Sequence, residues 1–227
     1  DYTTLIKFAK RLPTTIFEKL MVAFSKFIEQ PVKVAIDGTG ISLDNASPHY
    51  CKRIGKSYKK RPFLKLSVIV EIKHYLILQF KVRKKVRHDV VDAYPMVKKL
   101  AKKYEPEIFY GDRGYDAEKL FKLVFEELGA YPFILQKRLD VPKHRRKGRY
   151  RKETIDVFDY GEYLQRNKVE TAFSILKRKF GFSIRSKDVK TQKVEAMSRI
   201  IAYNIDRMLE AGKKVILIFI RITRISY

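Results

Sequence analysis

The run Tyr163-Leu-Gln-Arg166-Asn-Lys-Val-Glu170-Thr-Ala-Phe-Ser-Ile-Leu-Lys177 decides how this chain is read. On an α-helix at 100° per residue, with Tyr163 at 0°, Arg166 falls at about 300°, Glu170 at about 340° and Lys177 at about 320°. These polar side chains then share one narrow stripe. Leu164, Val169, Ala172, Phe173, Ile175, Leu176 and Phe180 fill most of the other side, the pattern of a helix packed on a core. A carboxylate among two cations and a phenol suits a divalent metal beside a phosphodiester. A solvated cluster of weak ion pairs has the same spacing, so the placing of other acids must decide.

Upstream of the run lies a basic tract, residues 137–152, with Lys137, Arg138, Lys143, Arg145, Arg146, Lys147, Arg149, Arg151 and Lys152. Before it, β-rich and helical segments alternate. Val32 to Ile36 alternates as a strand and meets Asp37-Gly38, which reads as a turn. Phe63 to Val70 and Tyr75 to Val82 read as a hairpin, and Val91 to Lys103 as a helix. Ile108 to Tyr110 is a short strand ending at Gly111-Asp112-Arg113-Gly114. Asp116 reads as the N-cap of a helix over Ala117 to Leu128, with Gly129 as its C-cap. Tyr131 to Leu135 is another strand, and a helix over about Thr191 to Glu210 closes the domain. Residues 1–30 read as helical with a break at Pro13, and 44–62 as a polar, basic loop.

This order predicts an α/β fold with a mixed sheet flanked by helices. Asp37 ends the first strand, Asp112 ends the fourth, and Glu170 sits on a late helix. Carboxyl ends of strands are where such sheets place their sites. If the first and fourth strands are neighbours, the two aspartates converge and the helix can present Glu170 to both.

Composition narrows the function class. The chain of 227 residues carries 50 Lys+Arg against 25 Asp+Glu, a net charge of +25. That excess points to a polyanionic partner, nucleic acid first. No long basic amphipathic helix suggests a membrane surface, and the longest apolar run, Val215 to Ile220, is too short to span one. One cysteine, Cys51, excludes a disulfide framework and a cysteine zinc cluster, and a reducing cytoplasm fits.

Val34-Ala-Ile-Asp37-Gly-Thr, Tyr110-Gly-Asp112-Arg-Gly-Tyr115-Asp and the Tyr163/Arg166/Glu170/Lys177 signature resemble the DDE transposases of insertion sequences that bear the YREK signature. Arg87-His88-Asp89 resembles a His-Asp pair often found between the first two acids. The resemblance covers roughly residues 30–210. It implies a ribonuclease H-like fold, with 31–210 as the catalytic domain and 137–152 as a basic loop within it. Residues 1–30 would be the remnant of an N-terminal helical region, since the chain opens on Asp1, and 211–227 a tail. It also implies cleavage and joining of double-stranded DNA at the ends of a mobile element, by a homodimer on DNA in a prokaryotic cytoplasm or nucleoid.

In that chemistry two Mg²⁺ ions, with Mn²⁺ as substitute, activate a water or 3′-hydroxyl and stabilise the phosphate. Asp37 is expected to bridge both ions, with Asp112 and Glu170 holding one each. Three unpaired carboxylates so placed repel one another until metal enters. Lys177, about 10 Å along the helix from Glu170, suits a neighbouring phosphate. Arg166 either clamps a phosphate or braces Glu170, and Tyr163 either contacts DNA or packs on the sheet. Arg145, Arg146 and Lys147 are expected on the DNA backbone. His88 either assists near the metals or is structural, and Asp89 reads as a helix cap. A nuclease or resolvase of the same fold, a domesticated DNA-binding protein and a ribosome-associated basic protein are the alternatives.

Overall fold

The computed structural model describes residues 1–43, 53, 63–137 and 141–212. Asp44, Cys51, Arg138 and the apolar end of the tail lie outside the described residues. Strands β1 (Val32–Leu43), β2 (Phe63–Glu71), β3 (Ile77–Arg83), β4 (Pro106–Gly111), β5 (Tyr131–Ile134) and β6 (Ser183–Ile184) form one sheet. Its order is β3-β2-β1-β4-β5, with β6 paired to the far end of β1. β1, β2 and β3 pair antiparallel, whereas β4 runs parallel to β1 and β5 parallel to β4. This is the expected ribonuclease H-like sheet.

The helices are α1 (Tyr2–Arg11), α2 (Thr15–Ser25), α3 (Asp89–Ala101), α4 (Glu118–Glu126), α5 (Arg149–Glu153), α6 (Tyr160–Tyr163), α7 (Lys168–Phe180) and α8 (Val189–Glu210). α8 starts where Asp188 accepts the N–H groups of Lys190 and Thr191, an N-cap that satisfies orphan donors. Phe17, Met21 and Phe24 of α2 are buried in the same core as β1, β2 and β4. At the outer edge of the sheet, Asn204 of α8 accepts from Ile77 N–H at 3.0 Å and donates to Ile77 C=O at 2.8 Å. The buried carboxamide thus replaces one rung of a missing strand.

Four sequence expectations are corrected. β1 does not stop at Asp37 but runs on through Gly38 and Gly40 to Leu43. The glycines are tolerated because neighbours occupy the room a β-carbon would need: Asp89 Oδ1 would lie 3.1 Å from one on Gly38, and the Phe63 ring 3.1 Å from one on Gly40. Asp116 is not the cap of α4: Ala117 holds that position, and the Asp116 carboxylate instead receives Lys137 N–H and Arg151. Asp89 is the first residue of α3, behind His88 at the cap. Finally, Tyr163 to Lys177 is not one regular helix. Tyr163 ends α6, residues 164–167 form a 3₁₀ turn, and α7 begins at Lys168. The tighter turn changes the phase, so the uniform stripe dissolves.

Candidate active site

The parallel register Val34↔Phe109 and Ala35↔Tyr110, continued by two residues, sets Asp37 level with Asp112, which lies just past the end of the adjacent strand β4. Adjacent strands lie about 4.8 Å apart. Asp112 caps a 3₁₀ turn, accepting Gly114 N–H at 2.8 Å. Gly114 is bare for a reason: a β-carbon there would lie 2.9 Å from Asp112 Oδ1 and 3.5 Å from Asp89 Oδ2.

Asp37 is partly buried and accepts Gly38 N–H at 2.7 Å. Its carboxyl is pushed up to about 6 by burial first, and further by the charges of Asp112 and Glu170; the Gly38 N–H and Arg166 oppose the shift. Both other acids therefore act on Asp37 through space. Glu170, in the first turn of α7, has its side chain 58% exposed and accepts Arg166 Nη2 at 2.6 Å. Arg166 Nη1 lies 3.8 Å from Asp37 Oδ2. The guanidinium stands between the first and third acids, so these are not the unpaired carboxylates that the sequence led us to expect. Its Nε is buried without a partner. As the side chains are arranged, no three acidic, histidine or cysteine groups among the described residues come within reach of one ion.

Two residues that sequence reasoning passed over complete this corner. Lys65, an interior lysine on β2, donates to Arg87 C=O at 2.5 Å and pairs with Asp89 at 2.7 Å. Tyr115 lies beneath the acids, 1% exposed, its hydroxyl without a hydrogen-bond partner. Burial, and then the charges of Asp37, Asp89, Asp112 and Asp92, hold that phenol well above its ordinary range. A lysine at an inward position of an apolar strand was the available signal for the first; the second stood in the Tyr110–Asp116 motif, where nothing in the sequence gave it a role.

Tyr163 is buried, its ring 5.4 Å from Phe158 and 5.8 Å from Tyr160, so it offers no face for stacking on DNA. The charges of Arg166 and Asp112 still reach its hydroxyl. Glu162, one residue earlier, accepts from Lys33 of β1 at 2.9 Å and from Tyr110 of β4, which moors α6 over the sheet. Lys177 sits with its ammonium 4.2 Å from the Phe182 ring centre. Arg145, Arg146 and Lys147 line a separate cavity beyond β5 with Asp116.

A mixed sheet with one aspartate on its central strand, a second level with it just past the neighbouring strand, a third acid on a covering helix and a surplus of cations defines a class of phosphodiester-processing domain. The chain belongs to the transposase DDE domain family, which matches residues 29–205. No curated protein matches it. Among solved structures, the cryo-EM structure of the piggyBac transposase synaptic complex with hairpin DNA is similar over 82% of this chain, at 11% identity and a TM-score of 0.48. The alignment spans 50% of that protein's chain. Among the described residues no helix is long and apolar enough to cross a membrane.

Proposed function

We propose that this chain is the catalytic domain of a DNA transposase, in which Asp37, Asp112 and Glu170 hold divalent ions, Mg²⁺ or Mn²⁺, at the reacting phosphate. The observation that carries the reading is the placement of Asp112, just past the end of β4, level with Asp37 on the neighbouring parallel strand, with Glu170 acting electrically on Asp37. The donor set fits a hard cation, which prefers carboxylate oxygen. It also fits because Asp37 meets like charges that a cation would neutralise. When bound, such ions activate the attacking oxygen and stabilise charge on the phosphate.

The protein's own residues do the rest. Asp37 on β1 and Asp112, held at the end of β4 by its bond to Gly114 N–H, fix the centre. Glu170 is exposed and tied only to its own helical segment and Arg166, so it is the acid free to adjust. Arg166 holds Asp37 and Glu170 together, and on release can turn to a phosphate. Lys177 is the cation for a neighbouring phosphate. Residues 31–210 form the catalytic unit, 1–30 a helical segment ahead of it, and the partners are double-stranded DNA and a second copy of the chain. Asp116 and Glu162, the described rival acids, are occupied by Arg151 and by Lys33 with Tyr110.

Incubation with supercoiled DNA and Mn²⁺ should give nicked circles. Asp112→Asn should abolish nicking and retain DNA binding; unchanged nicking would reject the assignment. Joining of a labelled 3′ end to target DNA separates a transposase from a plain nuclease of the same fold.

A further inference from the structure

Beyond β5 lies a cavity of about 290 Å³ walled by Lys137, Arg145, Arg146, Lys147 and Arg151. Asp116 is the acid in its wall, and its charge is already used: Arg151 lies at 2.5 Å and Lys137 N–H at 2.9 Å. Among the described residues no acid pairs with the exposed side chains of Arg145 or Lys147. The wall is built rather than loose. Arg146 Nε donates to Val141 C=O at 2.6 Å and Nη1 to Gln136 Oε1 at 3.2 Å. Gln136 is buried and donates in turn to Arg151 C=O at 2.8 Å and Thr154 Oγ1 at 3.0 Å.

The whole segment is pinned from below. Glu118 accepts Tyr150 N–H at 2.9 Å and Arg151 N–H at 3.3 Å. Gly148, at φ +99°, lets the chain pass over that carboxylate, since a β-carbon there would lie 2.1 Å from Glu118 Oε2. Crowding cations into a concave wall is self-repulsive unless an anion compensates.

Position selects the anion. Gly111 of β4 pairs with Ile134 of β5, so Gln136 and Lys137 step past the sheet at the same edge as Asp112. One residue further on, Leu135 is level with Asp112 about 4.8 Å away, and the cavity lining begins at the next residue, Gln136. We infer that this cavity is a socket for a non-scissile backbone phosphate of the DNA strand whose neighbouring phosphate lies at the acidic centre. The anionic chemistry stands on the cavity alone; the identification of the anion as DNA rests on the proposed function.

The test measures binding of a short fluorescent duplex DNA in EDTA, as a function of salt, so that the acids hold no metal. Arg145→Ala/Lys147→Ala is compared with Lys7→Ala/Lys10→Ala, which removes equal charge from α1. The socket pair should weaken binding about tenfold or more and reduce the salt slope by about one to two, with unaltered thermal unfolding. The α1 pair should change binding far less. Equal losses in both pairs would overturn the inference. So would an unaffected duplex combined with loss of inorganic phosphate binding in the socket pair, which would assign the cavity to a free anion. Failure of the active-site assignment has a different signature, Asp112→Asn that nicks normally, and leaves this comparison standing.

Discussion

Asp37 and Asp92 are both acids enclosed by the same fold, each close to an arginine, and the fold treats them oppositely. Asp92 on α3 is fully buried, and donors surround it: Arg83, the Ser67 hydroxyl at 3.4 Å and the Lys65 ammonium at 3.6 Å. Asp37 keeps an opening to solvent, its arginine stands off at 3.8 Å, and the nearest charges include two more carboxylates. A structural acid has its lone pairs filled by the protein. An acid meant to exchange partners is left among its own kind, at a cost in stability. Lys65 links the two regions, since it also pairs with Asp89, whose carboxylate is wedged between Gly38 and Gly114.

The contrast can be broken most sharply at Asp112. Asp112→Asn should take metal-dependent nicking to background while shifting folding stability by less than about 1 kcal/mol. Large destabilisation instead would make Asp112 a structural acid like Asp92. Asp92→Ala should do the reverse, costing about 2–3 kcal/mol in urea unfolding, because the half-buried Arg83 loses its carboxylate and the buried Lys65 keeps only Asp89 and the Arg87 carbonyl. A loss below about 1 kcal/mol would erase the distinction.

Asp37→Asn sharpens the comparison through pH. The folded carboxyl titrates at about 6, above its ordinary 3.8, so the fold favours the protonated form. Its contribution to stability is fully present below the ordinary value and is lost as pH rises through the folded one. Without metal, the asparagine variant should therefore be more stable than the parent at pH 8, by up to about 2 kcal/mol, with the gain gone near pH 4. A gain independent of pH would deny the charge conflict. The smallest effect belongs to Tyr115→Phe. Removing a buried hydroxyl that has no partner should raise metal-free stability by about 1 kcal/mol, read as a higher melting temperature. A fall of that size would mean that the hydroxyl is satisfied.

Much of the frame was legible because it follows from local pattern. The alternation of Val32 to Ile36, the apolar runs of the hairpin and the helical spacing after Thr191 each report one neighbourhood. Asp112 was legible as an acid at a strand end, set between Gly111 and Gly114. What escaped depends on contacts between distant segments. No local rule says that β1 survives Gly38 and Gly40, because Asp89 and Phe63 fill the space from other elements. Asp116 has the spacing of a cap, yet Arg151, thirty-five residues on, captures it. The stripe from Tyr163 to Lys177 assumed a constant 100° step, and a single 3₁₀ turn at 164–167 sends Tyr163 inward while leaving Glu170 outside.

The Asn204 carboxamide has an implication for assembly. By meeting both backbone groups of Ile77, it blunts the rim where another polypeptide could dock by strand addition. Strand addition at that rung is closed to any incoming chain, another copy of this one included.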